Sequence, residues 1–211
     1  GPTLYRCLED LAIPVALYAP FGTAHAELSI DFLDKSVQSP PSAGQYRISP
    51  GWIAVVEILR QLEKEPNHRP VGRTTFQKIV YFATQCGIPT DLQFERGSYG
   101  PFSSEIKRRV TALVNNGLLK EERLGQMFSV HVGPTYTDAH RAYRPQLESW
   151  SNAIDKVADL FLRMDTELAE IAATVHFAAH ESRSQRTAVS EADVLRAVLD
   201  WKQKRRPPLD S

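Results

Sequence analysis

The segment Phe76-Gln77-Lys78-Ile79-Val80-Tyr81-Phe82-Ala83 constrains this chain more than any other. Its apolar residues Phe76, Ile79, Val80, Tyr81, Phe82 and Ala83 surround the helical wheel instead of forming one stripe. A helix that is apolar all round has to be packed all round, so it belongs at the centre of a domain. Thr74 and Gln77 have the spacing of a capping box, which predicts a helix over 75–85. Beyond a turn-rich gap, Phe94-Glu95-Arg96-Gly97-Ser98-Tyr99-Gly100-Pro101-Phe102 makes a Gly/Pro corner. Gly97, Gly100 and Pro101 suit a turn, and Tyr99 and Phe102 are expected to fill core beside Tyr81 and Phe82. Gln77, Lys78 and Arg96 are the polar members. Lys78 either lies outside the apolar cluster or pairs with Glu95 or Glu105.

Helical patterning surrounds this pair of segments. Ser49 can N-cap and Pro50 fits a first helical position, after which Trp52, Val55, Val56, Leu59 and Leu62 share a face. Ser103 opens another helix, with Ile106, Val110, Leu113 and Val114 inward, Lys107, Arg108 and Arg109 toward the other side, and Gly117 as its C-cap. The period then changes to two. Phe128, Val130 and Val132 alternate with Ser129 and His131, Leu118 to Arg123 supplies the partner strand, and Gly125 the turn. Helix, two-stranded wing, then a helix capped at Thr135-Tyr136-Thr137-Asp138 is a winged-helix-like order. Leu147, Trp150, Ile154, Val157, Phe161, Met164, Leu168, Ile171 and Val175 form a heptad seam. It predicts a long core helix, or two broken near Asp165-Thr166. Ser190 and Asp193 cap a last helix carrying Val194, Leu195, Val198 and Trp201. The fold class expected is mainly α, with one winged-helix-like β-hairpin.

The N-terminal quarter reads differently. Gly1-Pro2 resembles the scar of a cleaved tag. Leu4, Leu8 and Leu11 have helical spacing, and residues 13–20 read as a short strand. Residues 21–48 carry Gly22, Pro40, Pro41 and Gly44 and read as a linker or arm. The expected organisation is therefore 1–20, 21–48, a main domain over 49–206 and a tail over 207–211.

Composition narrows the function. The formal net charge is zero, which does not describe a chain-wide nucleic-acid polycation. Cys7 and Cys86 lack CxxC spacing, which points to a reducing, cytoplasmic setting and away from a structural zinc. No apolar run reaches the roughly 20 residues of a membrane span. No GxSxG elbow, Walker loop or GxGxxG loop is present. His176 and His180 stand i, i+4, but Phe177 follows the first where a zincin needs Glu, so they read as helix-surface histidines. The chain is expected to be no enzyme, to have no catalytic or metal residues and to need no cofactor. Two charged features remain. Lys107, Arg108 and Arg109, with the Lys202 to Arg206 cluster, could contact phosphates. Residues 148–170 carry Glu148, Asp155, Asp159, Asp165, Glu167 and Glu170 against Lys156 and Arg163, a surplus of four negative charges. Carboxylates spaced along a helix can imitate a phosphate track and occupy a basic cleft.

Several ordered blocks between Pro50 and Arg206 resemble the C-terminal domain of DarG-type antitoxins, relatives of the Panacea (SocA-like) antitoxin domains. They are Pro50-Gly51-Trp52, Phe76 to Phe82, Gly97 to Phe102, Ala173-Thr174-Val175-His176-Phe177, and Val198-Leu199-Asp200-Trp201-Lys202 with the basic tail. Ser98 stands where the family often has a basic residue. The helix and strand of residues 4–20 resemble the close of the macrodomain that precedes this domain in the family. The resemblance implies an antitoxin that binds a DarT-like toxin, an enzyme that attaches ADP-ribose to thymidine in single-stranded DNA. It implies occlusion of the toxin's DNA cleft, by DNA mimicry, while removal of the DNA modification belongs to a macrodomain absent here. The expected toxin contacts are Glu148, Asp155, Asp159, Glu95, Arg96 and Tyr99. Gln77, Lys78, Tyr81, Phe82, Gly97, Gly100, Pro101 and Phe102 are expected to be mainly architectural. The alternative is a winged-helix-like module that binds DNA and autoregulates.

Overall fold

In the computed structural model the described residues are 48–203, apart from 67, 126, 186 and 187. The expected macrodomain remnant, residues 21–47 of the arm expected over 21–48, Cys7 and the basic residues beyond Gln203 lie outside them. The elements run α1 (Pro50–Lys64), α2 (Arg73–Gln85), β1 (Glu95–Gly97), β2 (Gly100–Phe102), α3 (Glu105–Asn115), β3 (Leu119–Leu124), β4 (Met127–Val132), α4 (Tyr136–Ala142), α5 (Arg144–Ser149), α6 (Ser151–Leu162), α7 (Thr166–Gln185) and α8 (Glu191–Gln203). The fold is mainly helical, with two separate antiparallel two-stranded sheets. No described helix is long and apolar enough to cross a membrane.

Two helices form the centre. In α2, Phe76 and Ile79 to Ala83 are all buried, as its all-round apolar pattern requires. In α1 the buried run is continuous from Gly51 to Leu59, not confined to one face. The extra burial has a tertiary cause, since α6, β4, α4, α5 and α2 all pack on α1. Glu57 is drawn into this core with Arg60 on both carboxylate oxygens at 2.8 Å, and it also accepts the Tyr136 hydroxyl. Glu63 accepts from the Val132 amide and pairs with His131 at 3.1 Å, which ties α1 to the wing. At Gly51 a Cβ would stand 2.0 Å from the Pro89 carbonyl oxygen, so only glycine fits under that loop.

The helix ends follow local chemistry. Gly87 and Gly117, at φ +91 and +68, each close a Schellman motif. Ile88 N–H donates to Ala83, and Leu118 N–H to Leu113, both across 2.9–3.0 Å. Ser190 and Asp193 bond reciprocally to open α8, as a capping box should. The Thr74/Gln77 box does not form. Helix α2 starts at Arg73 with Gly72 as N-cap and no side-chain cap bond, because Gly72 is held in a bridge to Ser129 of the wing. Ser49 and Pro50 occupy the expected N-cap and first positions of α1, also without a side-chain cap bond. Helix α3 opens at Glu105 behind Ser104 rather than at Ser103.

The wing is β3–β4, with Leu119 opposite Val132 and Leu124 opposite Met127. Its facing differs from the period-two expectation. Ser129 is buried and Phe128 is exposed. The Val71–Gly72 strand end joins β4 through Val130 N–H to Val71 O at 2.8 Å, covering Ser129, while the Phe128 ring lies 4.0 Å beneath the Arg73 guanidinium.

The heptad seam is split twice, at Trp150 between α5 and α6 and at residues 163–165 between α6 and α7, the second beside the expected Asp165-Thr166 break. Leu147, Ile154, Val157, Phe161 and Met164 are core. Leu168, Ile171 and Val175 are exposed, so the second half of the seam is not core as expected. Helix α7 is held by α2 on one flank and by β2 and α8 on another, and Ala169, Ala173 and Ala178 face those neighbours. Small residues permit that close approach and leave the larger ones facing out.

Candidate functional site

The segments that the sequence singles out meet at one corner of the molecule. Two extended stretches around Ser98-Tyr99 pair as β1–β2, in register Glu95 to Phe102 and Gly97 to Gly100. This hairpin packs on α2 and α7 and is hydrogen-bonded by α8. Gly100 has φ +90, and a Cβ there would lie 2.8 Å from Thr174 Oγ1 and 3.4 Å from Lys78 Nζ. Both the backbone angle and the space demand glycine. Beneath it the Lys78 ammonium donates to the Pro101 carbonyl at 2.9 Å. Lys78 is 1% exposed, so it is neither outside the apolar cluster nor paired with Glu95 or Glu105 as the sequence suggested. Its charge faces Glu170, which itself holds Lys202 at 2.7 Å. Burial lowers the Lys78 pKa to about 8, with Glu170 opposing the shift and Lys202 adding to it.

Helix α8 closes the hairpin from the other side. Trp201 Nε1–H donates to Gly97 O at 3.1 Å, and Lys202 Nζ donates to Ser98 O at 3.3 Å. Arg96 places Nε and Nη2 on one Glu181 oxygen at 2.9 and 2.6 Å, and its guanidinium lies 5.4 Å from the Trp201 ring centre. Residues from three other stretches of chain, in α2, α7 and α8, thus hold one turn. Tyr99, 51% exposed, and Phe102, 37% exposed, project outward, contrary to the expectation that they fill core. The space beside Tyr81 is taken instead by Phe82, Phe94, His176 and Phe177. The Tyr81 hydroxyl and His176 Nδ1 share a 2.8 Å hydrogen bond. Burial raises the Tyr81 pKa, while burial, then His180 and Arg183, lower that of His176, so a neutral hydroxyl meets a neutral imidazole.

The other expected contact residues lie elsewhere. Glu148 is exposed on α5, and Asp155 and Asp159 are exposed on α6. Asp155 accepts from Gln61 at 2.9 Å, and Asp159 is bound by Arg163 at 2.8 Å. Asp165 pairs with Arg69 at 3.7 Å and caps α7 through Leu168 N–H, and Glu170 is committed to Lys202. The acidic stretch 148–170, expected as one long helix or two broken near Asp165-Thr166, is spread over three helices and the 163–165 junction, with four of the six carboxylates already bonded. Sequence reading grouped these acids by their spacing and allowed for the break near Asp165, but the division at Trp150 and the long-range partners are tertiary. The residues it missed at the corner are Thr174, Glu170 and Trp201 acting together. Their only sequence signal is that they fall in or beside the same ordered blocks as the hairpin. Among the described residues no group of three or more His, Cys, Asp or Glu could hold a metal ion.

No family model matches the chain. Among curated proteins it is similar to the uncharacterized protein YwgA of Bacillus subtilis (strain 168), with 25% identity over 101 residues. That match covers 44% of this chain and 61% of YwgA, so the chain spans about three fifths of this relative's length.

Proposed function

We propose that this chain is the toxin-binding part of an antitoxin, which captures a DarT-like DNA ADP-ribosyltransferase and covers its single-stranded-DNA cleft. The observation that supports this reading best is the convergence of the separated sequence blocks on the β1–β2 corner. Lys78, Glu170, Thr174, Trp201 and Lys202 are used to hold one turn rigid, and the turn presents Tyr99 and Phe102 to solvent. A preorganised aromatic protrusion suits an anchor at a protein interface, because little side-chain and loop freedom is then lost on binding. In this reading the exposed carboxylates of α5 and α6 supply the phosphate-like component.

The direct test is titration of the chain into such a toxin while following ADP-ribosylation of a thymidine-containing single strand. The expected result is inhibition that is complete at one equivalent, with no ADP-ribose removed from DNA already modified. Absence of both inhibition and complex would transfer the proposal to DNA binding by α3 and the wing.

A second expectation concerns Asp155 and Asp159. Each is tied to one neighbour and still exposed, so Asp155→Asn with Asp159→Asn should leave the fold intact. If these carboxylates steer association, the on-rate should fall several-fold at low salt and its salt dependence should flatten. Stopped-flow association at two ionic strengths measures this, and unchanged rates would remove α6 from the interface.

A further inference from the structure

A groove of about 480 Å³ opens between α2, α3 and the wing. Its walls are apolar, from Phe76, Ile106, Val110 and Val130, with Phe102 at one side. Gln77, Ser103 and Lys107 add polar groups, and for none of the three does a side-chain hydrogen bond or ion pair fall among the described residues. Ser103 is 5% exposed and forms part of the groove wall. A volume of this size, apolar walls and a few converging polar groups are the attributes of a binding groove.

Its surroundings indicate the kind of ligand. Phe102 and Phe128 are 37% and 38% exposed, and Met127 is 65% exposed. Phe128 lies under Arg73, which lines the groove, so these side chains extend the apolar surface beyond its mouth. Aromatic residues, Met and Arg gathered on one open face are the composition of a protein interface. The charge has a sign as well. Arg73 is matched by Glu121 and Arg108 by Glu105, which leaves Lys107 at the mouth as a positive charge without a counter-ion among the described residues.

We infer that this groove binds an acidic–apolar segment of a protein partner, with one large apolar side chain seated between Phe76, Ile106 and Val110 and a carboxylate of that segment on Lys107. Gln77 and Ser103 then bond the segment's main chain. The inference shares only Phe102 with the toxin reading. Occluding a nucleic-acid cleft calls on the acidic helices, whereas this groove is cationic and takes a ligand of the opposite charge.

The test uses the full chain and short fluorescein-labelled peptides in which one leucine, methionine or phenylalanine stands between aspartates. Fluorescence anisotropy should give saturable binding. Replacing the central residue with serine should weaken it about tenfold, as should flanking it with lysines in place of aspartates. Lys107→Glu, a substitution at an exposed position, should weaken the aspartate peptides and improve the lysine ones. A second measurement needs no variant: the methyl resonances of Ile106, Val110 and Val130 in the wild-type chain should shift on adding the aspartate peptide. The inference is overturned if no peptide binds up to millimolar concentration, or if serine and leucine peptides bind alike. It is equally overturned if binding leaves those methyls unmoved, if phenylacetate alone binds as tightly as the peptides, or if an oligothymidylate competes for the same groove and loses binding with Lys107→Glu.

Discussion

Gly100→Ala is expected to lower the stability of the chain by ~3 kcal/mol, the largest single effect at the β1–β2 corner. Two costs combine. An L-residue at φ +90 is strained by roughly 1–2 kcal/mol. The added methyl would also stand 2.8 Å from Thr174 Oγ1, which cannot easily yield because its hydroxyl is bonded to Glu170 O at 2.7 Å. Gly87→Ala separates the two costs. Gly87 has φ +91, almost the same angle, with nothing within 4 Å of a built Cβ. Urea unfolding of both variants should therefore place Gly100→Ala about 1–2 kcal/mol below Gly87→Ala. Toxin inhibition should weaken in Gly100→Ala and stay intact in Gly87→Ala. Equal losses in stability would mean that the hairpin is not seated on α7.

The second large effect is a dependence on pH. The Lys78 pKa is about 8 in the folded chain, against 10.5 ordinarily. Below pH 8 the amine is charged in both states, and the full cost of burying that charge is present. Between pH 8 and 10.5 the folded chain sheds the proton while the unfolded chain keeps it. The unfolded state then binds more protons, so stability rises with pH across this window. The shift corresponds to roughly 3 kcal/mol. Lys78→Met keeps the length of the side chain and removes the titration, at a cost of about 1 kcal/mol for the Pro101 carbonyl that loses its donor. The variant should be more stable than the parent at pH 7 and lose that advantage by pH 10.5. Because other lysines and tyrosines titrate in both proteins, the difference between the two urea-melt profiles is the quantity to follow. A difference that stays flat from pH 7 to 10.5 would show that Lys78 is not buried as a cation.

These two positions explain why the corner was only partly legible beforehand. Gly100 announces itself in sequence as a turn glycine beside Pro101, and so it is. That its missing Cβ also admits Thr174 and Lys78 depends on a helix some seventy residues away, and no local pattern carries it. Lys78 reads as a solvent-facing residue because lysines are seldom fully buried. It is inside because the hairpin folds back over α2 and brings the Pro101 carbonyl and Glu170 to it. Tyr99 and Phe102 mislead in the opposite direction. Hydrophobicity predicts core, but the hairpin's buried side is occupied by Gly100 and Pro101, so the aromatic residues on either side of them point out.

Sequence alone determined what rests on neighbours along the chain. Helix α2 had to be central because it is apolar on every side, Gly117 had to follow a helix end, Ser190 and Asp193 had to open α8, and the period-two run had to be a strand. Each is an interaction spanning a few residues, so its whole physical cause is present in a short window. Tertiary structure decided which charges were spent and which faces stayed bare. Ion pairs such as Arg96–Glu181 and Lys202–Glu170 and the exposure of Leu168, Ile171 and Val175 all depend on groups distant in sequence. Desolvation and pairing are set by the surrounding fold, and those two quantities determine whether a residue at this corner supports the structure or meets a partner.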